Sequence, residues 1–395
     1  MLTLLWLLLP VAAASGWFAA KRSQTNAIST NHTLSPKYYQ GLNYLIDDQP
    51  DKAIQVFCQL IETNDKQALE LHLALGNLFR QRGEVDRAIH VHQNLVDNAH
   101  ISEEIKSLAT VELAHDFLRA GLLDRAEGLL LQLWVEKADN GLILKLLQTI
   151  YQQEKEWRKA IDVVIKNGDV DIEQKSVLAQ YFCELAEEAT TGRNPQAVIA
   201  LLDQALSYDA SCVRANIIKG RVFNQSADYA KALASYKDIA QQNPVYLGEV
   251  VNGMLESTYQ LGKVTELTQF LRHHIKNHFD INCVEVFIGL LKETKSEEQA
   301  SIYLISFLKD APSLPLMLMF FQLNAKHMQG ELKDVCRLAS ESLVEIMKNK
   351  SVYLCEGCGF SGKTLHWLCP SCKEWGSTVP INYSNRKALD NQINH

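Results

Sequence analysis

Apolar and polar residues alternate with a helical period over most of the chain, from Tyr38 to about Lys348. Apolar positions three and four residues apart, as in LGNLF (75–79), place side chains on one face of an α-helix. Turn signals such as Arg82-Gly83-Glu84 and Ala227-Asp228 interrupt these stretches at regular intervals. The pattern predicts a series of helical hairpins.

A small residue near the start of the second helix of each hairpin marks the repeat. Alanine recurs there 34 to 38 residues apart, at Ala53, Ala88, Ala126, Ala160, Ala197 and Ala232. A larger side chain would push apart two helices that cross at that level. This period is typical of tetratricopeptide repeats, which stack into a solenoid with a binding groove. We predict about nine hairpins over residues 38–348, the last three degenerate.

The first twenty residues carry no charged side chain. A helix of that length reaches about 30 Å, the thickness of a bilayer core. A cleaved signal peptide is the alternative, but signal peptides begin with a basic segment and this chain begins MLTL. Lys21 and Arg22 follow at once and favour the cytoplasmic side. We predict a transmembrane anchor over residues 1–20, a linker over 21–37 and the bulk of the chain in the cytoplasm.

The amino-acid composition excludes several classes of protein. A net charge of −7 gives no electrostatic footprint for nucleic acid, and 47% apolar with 22% charged residues excludes wholesale disorder. Nine cysteines, an odd number, do not form a disulfide framework, which favours a reducing compartment. We interpret the scattered ones as small core residues: Cys58, Cys183, Cys212, Cys283 and Cys336. The sequence offers no catalytic constellation and no cofactor motif.

Four cysteines near the end of the chain have the spacing C-x2-C-x10-C-x2-C: Cys355, Cys358, Cys369 and Cys372. Each C-x-x-C turn directs two thiolates at one centre and lets backbone N–H groups bond to the sulfurs. Four sulfurs complete a tetrahedron without an open position, which predicts a structural metal site within residues 349–381, followed by a polar tail over 382–395. Zinc and iron both suit this ligand set, and a dithiol redox pair is the alternative.

The segment GCGFSGKT (357–364) also matches the phosphate-loop pattern G-x-x-x-x-G-K-T. A phosphate loop must lead from a strand into a helix, whereas Cys358 is a predicted metal ligand and Cys369 follows five residues after Thr364. We therefore predict no nucleotide binding.

The order of anchor, tetratricopeptide array and rubredoxin-like cysteine module resembles the lipopolysaccharide assembly protein B family. The resemblance covers nearly the whole chain and departs mainly over residues 245–345. Its most specific segments are LLLPVAAASGWF (7–18), LGNLFRQRGEVDRAIHVHQ (75–93), EWRKAIDV (156–163), YFCEL (181–185) and CEGCGFSGKTLHWLCPSC (355–372).

The resemblance implies an all-α repeat solenoid with one transmembrane helix and a small rubredoxin-like or zinc-ribbon domain. It implies a non-enzymatic, single-pass adaptor of the bacterial inner membrane that works with the membrane protease FtsH. In that family the two control turnover of LpxC, the deacetylase that commits precursor to lipid A, and so regulate lipopolysaccharide synthesis.

The resemblance implies further partners among the inner-membrane proteins of lipopolysaccharide assembly or its regulation. Whether the chain forms a homo-oligomer is left open. The family's metal ligands carry over to Cys355, Cys358, Cys369 and Cys372. The resemblance implies iron as the metal, as in rubredoxin, whereas closed coordination alone favours zinc. Two alternatives are a periplasm-facing or generic tetratricopeptide scaffold for envelope assembly, and an electron-transfer role of the thiolate centre.

Overall fold

The computed structural model describes residues 17, 36–47, 49, 52–56, 66–136, 141–168, 170–192, 194–325 and 329–381. Within these ranges no helix is both long and apolar enough to cross a bilayer. Apart from Trp17, the predicted anchor over residues 1–20 lies outside the described residues, as do residues 21–35 of the linker, Cys58 and the tail over 382–395. The chain divides into two compact units, Met1–Ile150 and Tyr151–His395.

The first unit consists of helical hairpins. Helices α2 and α3 pack as one pair and α4 and α5 as the next. The helices are α1 (Pro36–Ile46), α2 (Lys66–Gln81), α3 (Val85–Asp97), α4 (Glu103–Arg119) and α5 (Leu123–Glu136), with a further helical stretch over 52–56. Helix α6 (Gly141–Glu154) begins in this unit and ends in the second.

The second unit continues the pattern and ends in a small sheet. Its helices are α7 (Trp157–Lys166), α8 (Ile172–Ala189), α9 (Pro195–Tyr208), α10 (Val213–Gln225), α11 (Tyr229–Gln242), α12 (Val251–Leu261), α13 (Val264–Asn277), α14 (Ile281–Thr294), α15 (Glu297–Asp310), α16 (Leu314–Asn324) and α17 (Glu331–Lys348). Short 3-10 helices cover Thr190–Gly192 and Pro244–Glu249. Helices α8 to α17 pack as five consecutive pairs, so the predicted repeat fold is confirmed.

The chain reverses between paired helices through one residue in the left-handed region. Gly83, Gly121 and Gly262 adopt φ values of 82°, 75° and 68° there. Glycine lacks a Cβ and accepts this conformation without strain. Lys155 and Ala227 occupy equivalent turns with φ values of 59° and 57°. These two turns form at some cost in backbone strain, because both residues carry a Cβ.

The predicted small residue is fully buried at five of its six positions: Ala53, Ala88, Ala126, Ala160 and Ala232. The sixth assignment is wrong, because Ala197 is exposed. Asn194 caps α9 and Pro195 is its first residue, so the fourth residue of this helix is Val198, which is 2% exposed. Ala88, Ala160 and Ala232 are also the fourth residues of their helices, and Val198 therefore fills the equivalent contact.

A buried ion network joins α2, α3 and α4. His92 Nδ1 lies 2.5 Å from Asp116 Oδ2, and both side chains are fully buried. Arg80 donates to Asp116 at 2.8 Å and to Glu112 at 2.6 Å, which pairs the charges and compensates their burial. The His92 ring lies directly over Gly76, where an added Cβ would overlap the ring.

We expect Gly76→Ala to lower the free energy of unfolding by about 1–3 kcal/mol, because the new methyl group must displace the His92 ring. Gly128→Ala on α5 is the matched control, because a Cβ there meets nothing within 4 Å. This change should be neutral or stabilise the helix by up to about 1 kcal/mol. Urea unfolding followed by circular dichroism measures both variants, and equal midpoints would contradict the packing of His92 on α2.

Candidate metal centre

The last described residues form a module with a three-stranded antiparallel sheet in the order β2-β1-β3. Its strands are β1 (Tyr353–Cys355), β2 (Ser361–Gly362) and β3 (Thr378–Pro380). Central strand β1 pairs Tyr353 with both Gly362 and Pro380. The first C-x-x-C turn connects β1 to β2, and a bridge between Leu368 and Trp375 closes the second turn.

The fold brings the four predicted cysteines together. All four Sγ atoms lie within 4.8 Å of one another, with 3.7 Å from Cys355 to Cys372 and 3.7 Å from Cys358 to Cys369. A tetrahedral ion with metal–sulfur bonds of about 2.3 Å requires sulfur–sulfur distances of about 3.8 Å. Cys355 and Cys369 are buried and Cys358 and Cys372 are exposed. The donor set and its spacing therefore fit one four-coordinate ion.

The two cysteine turns share one backbone pattern. In the first turn the Cys355 N–H donates to the Phe360 carbonyl at 2.7 Å, and the Gly359 N–H donates to the Cys355 carbonyl at 2.9 Å. The second turn repeats both bonds at 3.0 Å, from Cys369 to Glu374 and from Lys373 to Cys369. Lys373 has a φ of 61° where the first turn has Gly359 with 76°. Lys373 thus occupies in the second turn the left-handed position that glycine occupies in the first.

Backbone amides direct their hydrogens at the sulfurs, as expected for such turns. Burial alone would raise the pKa of the Cys355 thiol, but its hydrogen bonds with the Ser377 hydroxyl and the Cys358 N–H bring that pKa to about 6. The Phe360 N–H likewise lowers the pKa of Cys358. These contacts favour the thiolate form, which is the form that binds a metal.

The pKa of Cys372, the second exposed cysteine, shifts in the opposite direction. The Glu374 N–H lowers the pKa of Cys372, but lost solvation and hydrogen bonds to the other three sulfurs raise that pKa to about 12. This distribution is typical of clustered thiols, because they share protons and do not all ionise without a cation among them.

The phosphate-loop match has a different structure here. Residues 357–364 form a turn and strand β2, and the segment that follows Gly362 is not helical. The N-terminal end of a helix, which would supply the amides for a phosphate, is missing from this described segment.

Two tryptophans of the module pack on aromatic side chains of the helices. Trp375 makes edge contacts with Trp157 on α7 and Tyr181 on α8, with ring centroids 6.1 Å and 6.0 Å apart. Trp367 stacks on Tyr246 at 5.4 Å and an interplanar angle of 28°. Such aromatic pairs contribute about 0.5–1.5 kcal/mol each beyond their buried area. This surface was not predicted from the sequence, although two tryptophans in so short a module indicate an aromatic contact with another part of the chain.

Hydrogen bonds fix the position of the module. The Tyr246 hydroxyl donates to the Thr378 carbonyl at 2.9 Å in a buried contact. The Tyr353 hydroxyl donates to both carboxylate oxygens of Glu249, at 2.9 Å and 3.0 Å. Burial raises the pKa of Glu249, the Tyr353 bond lowers it, and the nearby Asp280 carboxylate raises it again. The net effect is a raised pKa of Glu249, because ionising a carboxyl group is unfavourable at this buried position.

A buried arginine completes the surface under the module. The Arg214 guanidinium lies 5.9 Å from the Trp367 ring and is 2.9 Å from both Glu184 and Glu187. Burial alone would lower the pKa of Arg214, but the two carboxylates raise it. The module thus rests on α7, α8, α10 and the 3-10 helix before α12. The module therefore covers part of the surface of these helices.

We expect Cys358→Ser to release the bound metal, because it removes one thiolate from a closed site. The module should then lose amide protection over residues 353–380, since so few residues cannot hold a core alone. Elemental analysis gives the metal and its ratio to protein, and hydrogen exchange reports the fold. Cys336→Ser on α17, a buried cysteine outside the cluster, is the control and should retain the metal. Full metal retention in Cys358→Ser would contradict the assignment of this ligand.

We expect Tyr246→Phe to weaken docking of the module by about 1–3 kcal/mol, because the buried Thr378 carbonyl loses its donor while the ring stack is kept. Tyr259→Phe is the control, because Tyr259 donates to Glu293 on the exposed surface. Hydrogen exchange of β3 measures the effect, which should appear as faster exchange only in Tyr246→Phe. Equal protection of β3 in the two variants would show that this bond does not hold the module.

Models of known protein families match three parts of the chain. The rubredoxin metal binding domain matches residues 353–380, and the tetratricopeptide repeat matches residues 71–100 and 184–246. Among solved structures, the crystal structure of MamA protein is 15% identical with a TM-score of 0.33, over 45% of this chain and 93% of that chain. A score this low supports no argument about function.

Full-length relatives are similar across both helical units and the module. Lipopolysaccharide assembly protein B of Escherichia coli (strain K12) is 36% identical over 389 residues, covering 96% of this chain and 98% of the relative. Its namesake from Haemophilus influenzae is 33% identical over 400 residues, covering 97% and 99%. The chain therefore belongs to the lipopolysaccharide assembly protein B family.

Proposed function

We propose that the protein is a non-enzymatic adaptor in lipopolysaccharide assembly, tied to the inner membrane by residues 1–20 with its bulk on the cytoplasmic side. Through its repeats and its module it binds an FtsH-type membrane protease and the lipid A deacetylase, and so controls turnover of the deacetylase. Similarity over nearly the full length to proteins named for lipopolysaccharide assembly supports the general role. The protease and deacetylase are our more specific proposal.

We further propose that Cys355, Cys358, Cys369 and Cys372 bind one metal ion. The ion supplies a cross-link between the two cysteine turns. With four sulfurs it has no open position for a substrate, which favours a structural over a catalytic role. Zinc fits this closed site on chemical grounds and iron fits it by analogy with rubredoxin, so the elemental analysis above decides between them.

The docked module is the observation that carries the proposal. Trp375 and Trp367 lie on aromatic side chains that come from three different repeats. The repeats and the module therefore present one composite surface, and a partner that contacts both recognises only the metal-bound, docked protein. Such a surface suits an adaptor, because its shape depends on two parts of the chain at once.

The anchor gives the proposed adaptor its advantage. A protease and an adaptor held in the same membrane meet at a high effective concentration, so weak contacts between them suffice. The basic pair Lys21 and Arg22 supports the proposed cytoplasmic side, where a soluble deacetylase would meet the repeats.

In cells that carry only Cys358→Ser, we expect the protein to remain in the membrane while control of deacetylase turnover is lost. Cys336→Ser is again the matched control. Membrane abundance and deacetylase half-life are measured in the same strains. An abundant, metal-free protein with normal deacetylase turnover would contradict the proposal. If Cys358→Ser is itself degraded, Tyr246→Phe repeats the test with the metal ligands intact.

A reporter that is active only in the periplasm, fused after His395, tests the placement. It should stay inactive. Activity would favour the alternative of a periplasm-facing scaffold for envelope assembly, and the protease proposal would then fail.

A further inference from the structure

Two cysteines interpreted from the sequence as separate core residues form a close pair. Cys183 on α8 and Cys212 at the N-cap of α10 have Sγ atoms 3.8 Å apart. Their exposed fractions are 0% and 3%. Both are free thiols, and neither belongs to the four-cysteine cluster.

The surroundings of the two sulfurs are unequal. Cys212 lies at the N-terminal end of α10, where its sulfur contacts the Cys183 sulfur and accepts a hydrogen bond from Gln180 Nε2 at 3.8 Å. Arg214 adds positive charge nearby. Helix N-termini and adjacent cations stabilise a thiolate.

The pKa values follow this asymmetry. The Cys183 thiol and the Ala215 N–H lower the pKa of Cys212, although burial opposes them. Donation of its proton to Cys212, together with burial, raises the pKa of Cys183. Cys212 is therefore the more readily ionised of the two thiols, which favours it as the nucleophile of a reactive dithiol.

We propose that Cys183 and Cys212 form a redox-active dithiol that takes a peroxide as its oxidant, with Cys212 as the nucleophile and Cys183 as the resolving thiol. Hydrogen peroxide is about the size of two water molecules. Cys212 follows the exposed Ser211 at the start of α10, so only a small local opening is needed for access.

The reaction balances in two steps. The Cys212 thiolate attacks one peroxide oxygen, the O–O bond breaks, and hydroxide leaves, which converts Cys212 to a sulfenic acid. The Cys183 sulfur then attacks the sulfenic sulfur, an S–S bond forms, the S–O bond breaks, and the hydroxyl group leaves with the Cys183 proton as water. Peroxide is reduced and two thiols are oxidised. The sulfurs must close from 3.8 Å to about 2.05 Å when the disulfide forms.

The pair lies beneath the docked module. Arg214, two residues from Cys212, is the cation that contacts Trp367. Disulfide formation must close the 3.8 Å gap between the two sulfurs and so draws the start of α10, with Arg214, towards α8. We therefore expect the disulfide to change exchange rates around Trp367 as well as at the pair.

Purified full-length protein with its metal bound is treated with hydrogen peroxide, quenched, alkylated while denatured and mapped by peptide mass spectrometry. We expect a disulfide between Cys183 and Cys212 that dithiothreitol reverses. It should form at least about tenfold faster than oxidation of Cys283, a buried thiol whose pKa is raised by burial. Equal rates, or oxidation of the four-cysteine cluster before the pair, would overturn the proposal.

Three variants test the assigned roles. Cys183→Ala should stop at the sulfenic acid of Cys212, which dimedone traps. Cys212→Ala should leave Cys183 unmodified, because the nucleophile is gone. The matched control Cys283→Ala should form the disulfide at the wild-type rate. Sulfenic acid on Cys183 in Cys212→Ala would reverse the roles and refute the assignment. If a variant fails to fold, the rate of disulfide formation relative to oxidation of Cys283 in the wild-type protein still tests the proposal.

Discussion

The cysteine module keeps its structure through its contact with the helices of the second unit. Among residues 353–380, Val379 and Pro380 are the buried apolar side chains other than two of the cysteines. A segment of this size does not bury enough surface to fold by itself. The sulfur cluster holds it from within, and Trp157, Tyr181 and Tyr246 hold it from outside. The sulfur cluster fixes the two cysteine turns, whereas the aromatic contacts fix the module on the helices. Neither support therefore replaces the other.

The repeat spacing makes this contact possible. Tyr181, Arg214 and Tyr246 are 33 and 32 residues apart, so each comes from a successive hairpin. An array with this period presents one side chain per hairpin to the same surface, as a strand presents every second residue. The same spacing links Arg80 to Glu112 in the first unit, and Asn224 to Ser257 in the second. Contacts one repeat apart thus join hairpins and also build the surface for the module.

Local patterns in the sequence were sufficient for the repeats and for the cysteine cluster. The helical period and the buried alanines depend on neighbours in the chain, and the one wrong position, Ala197, arose because Asn194 and Pro195 shift the start of α9 by one residue. The contacts that were missed join distant single residues: Tyr246 to Thr378, His92 to Asp116, and Cys183 to Cys212. Each is a tertiary contact made by a single side chain, and no periodic signal in a single sequence encodes it.

Docking and metal binding are linked equilibria because they act on the same residues. Cys355 ends strand β1, and Tyr353 on that strand donates to Glu249 on the helical side. An ion that orders the turns also orders the strand that docks, so it favours the docked state. By the reciprocity of linkage, docking must raise the affinity for the ion by the same factor. A partner that separates Trp375 from Tyr181 would weaken metal binding, whereas one that binds across both parts would strengthen it. The metal affinity is therefore a reporter of how a partner engages this surface.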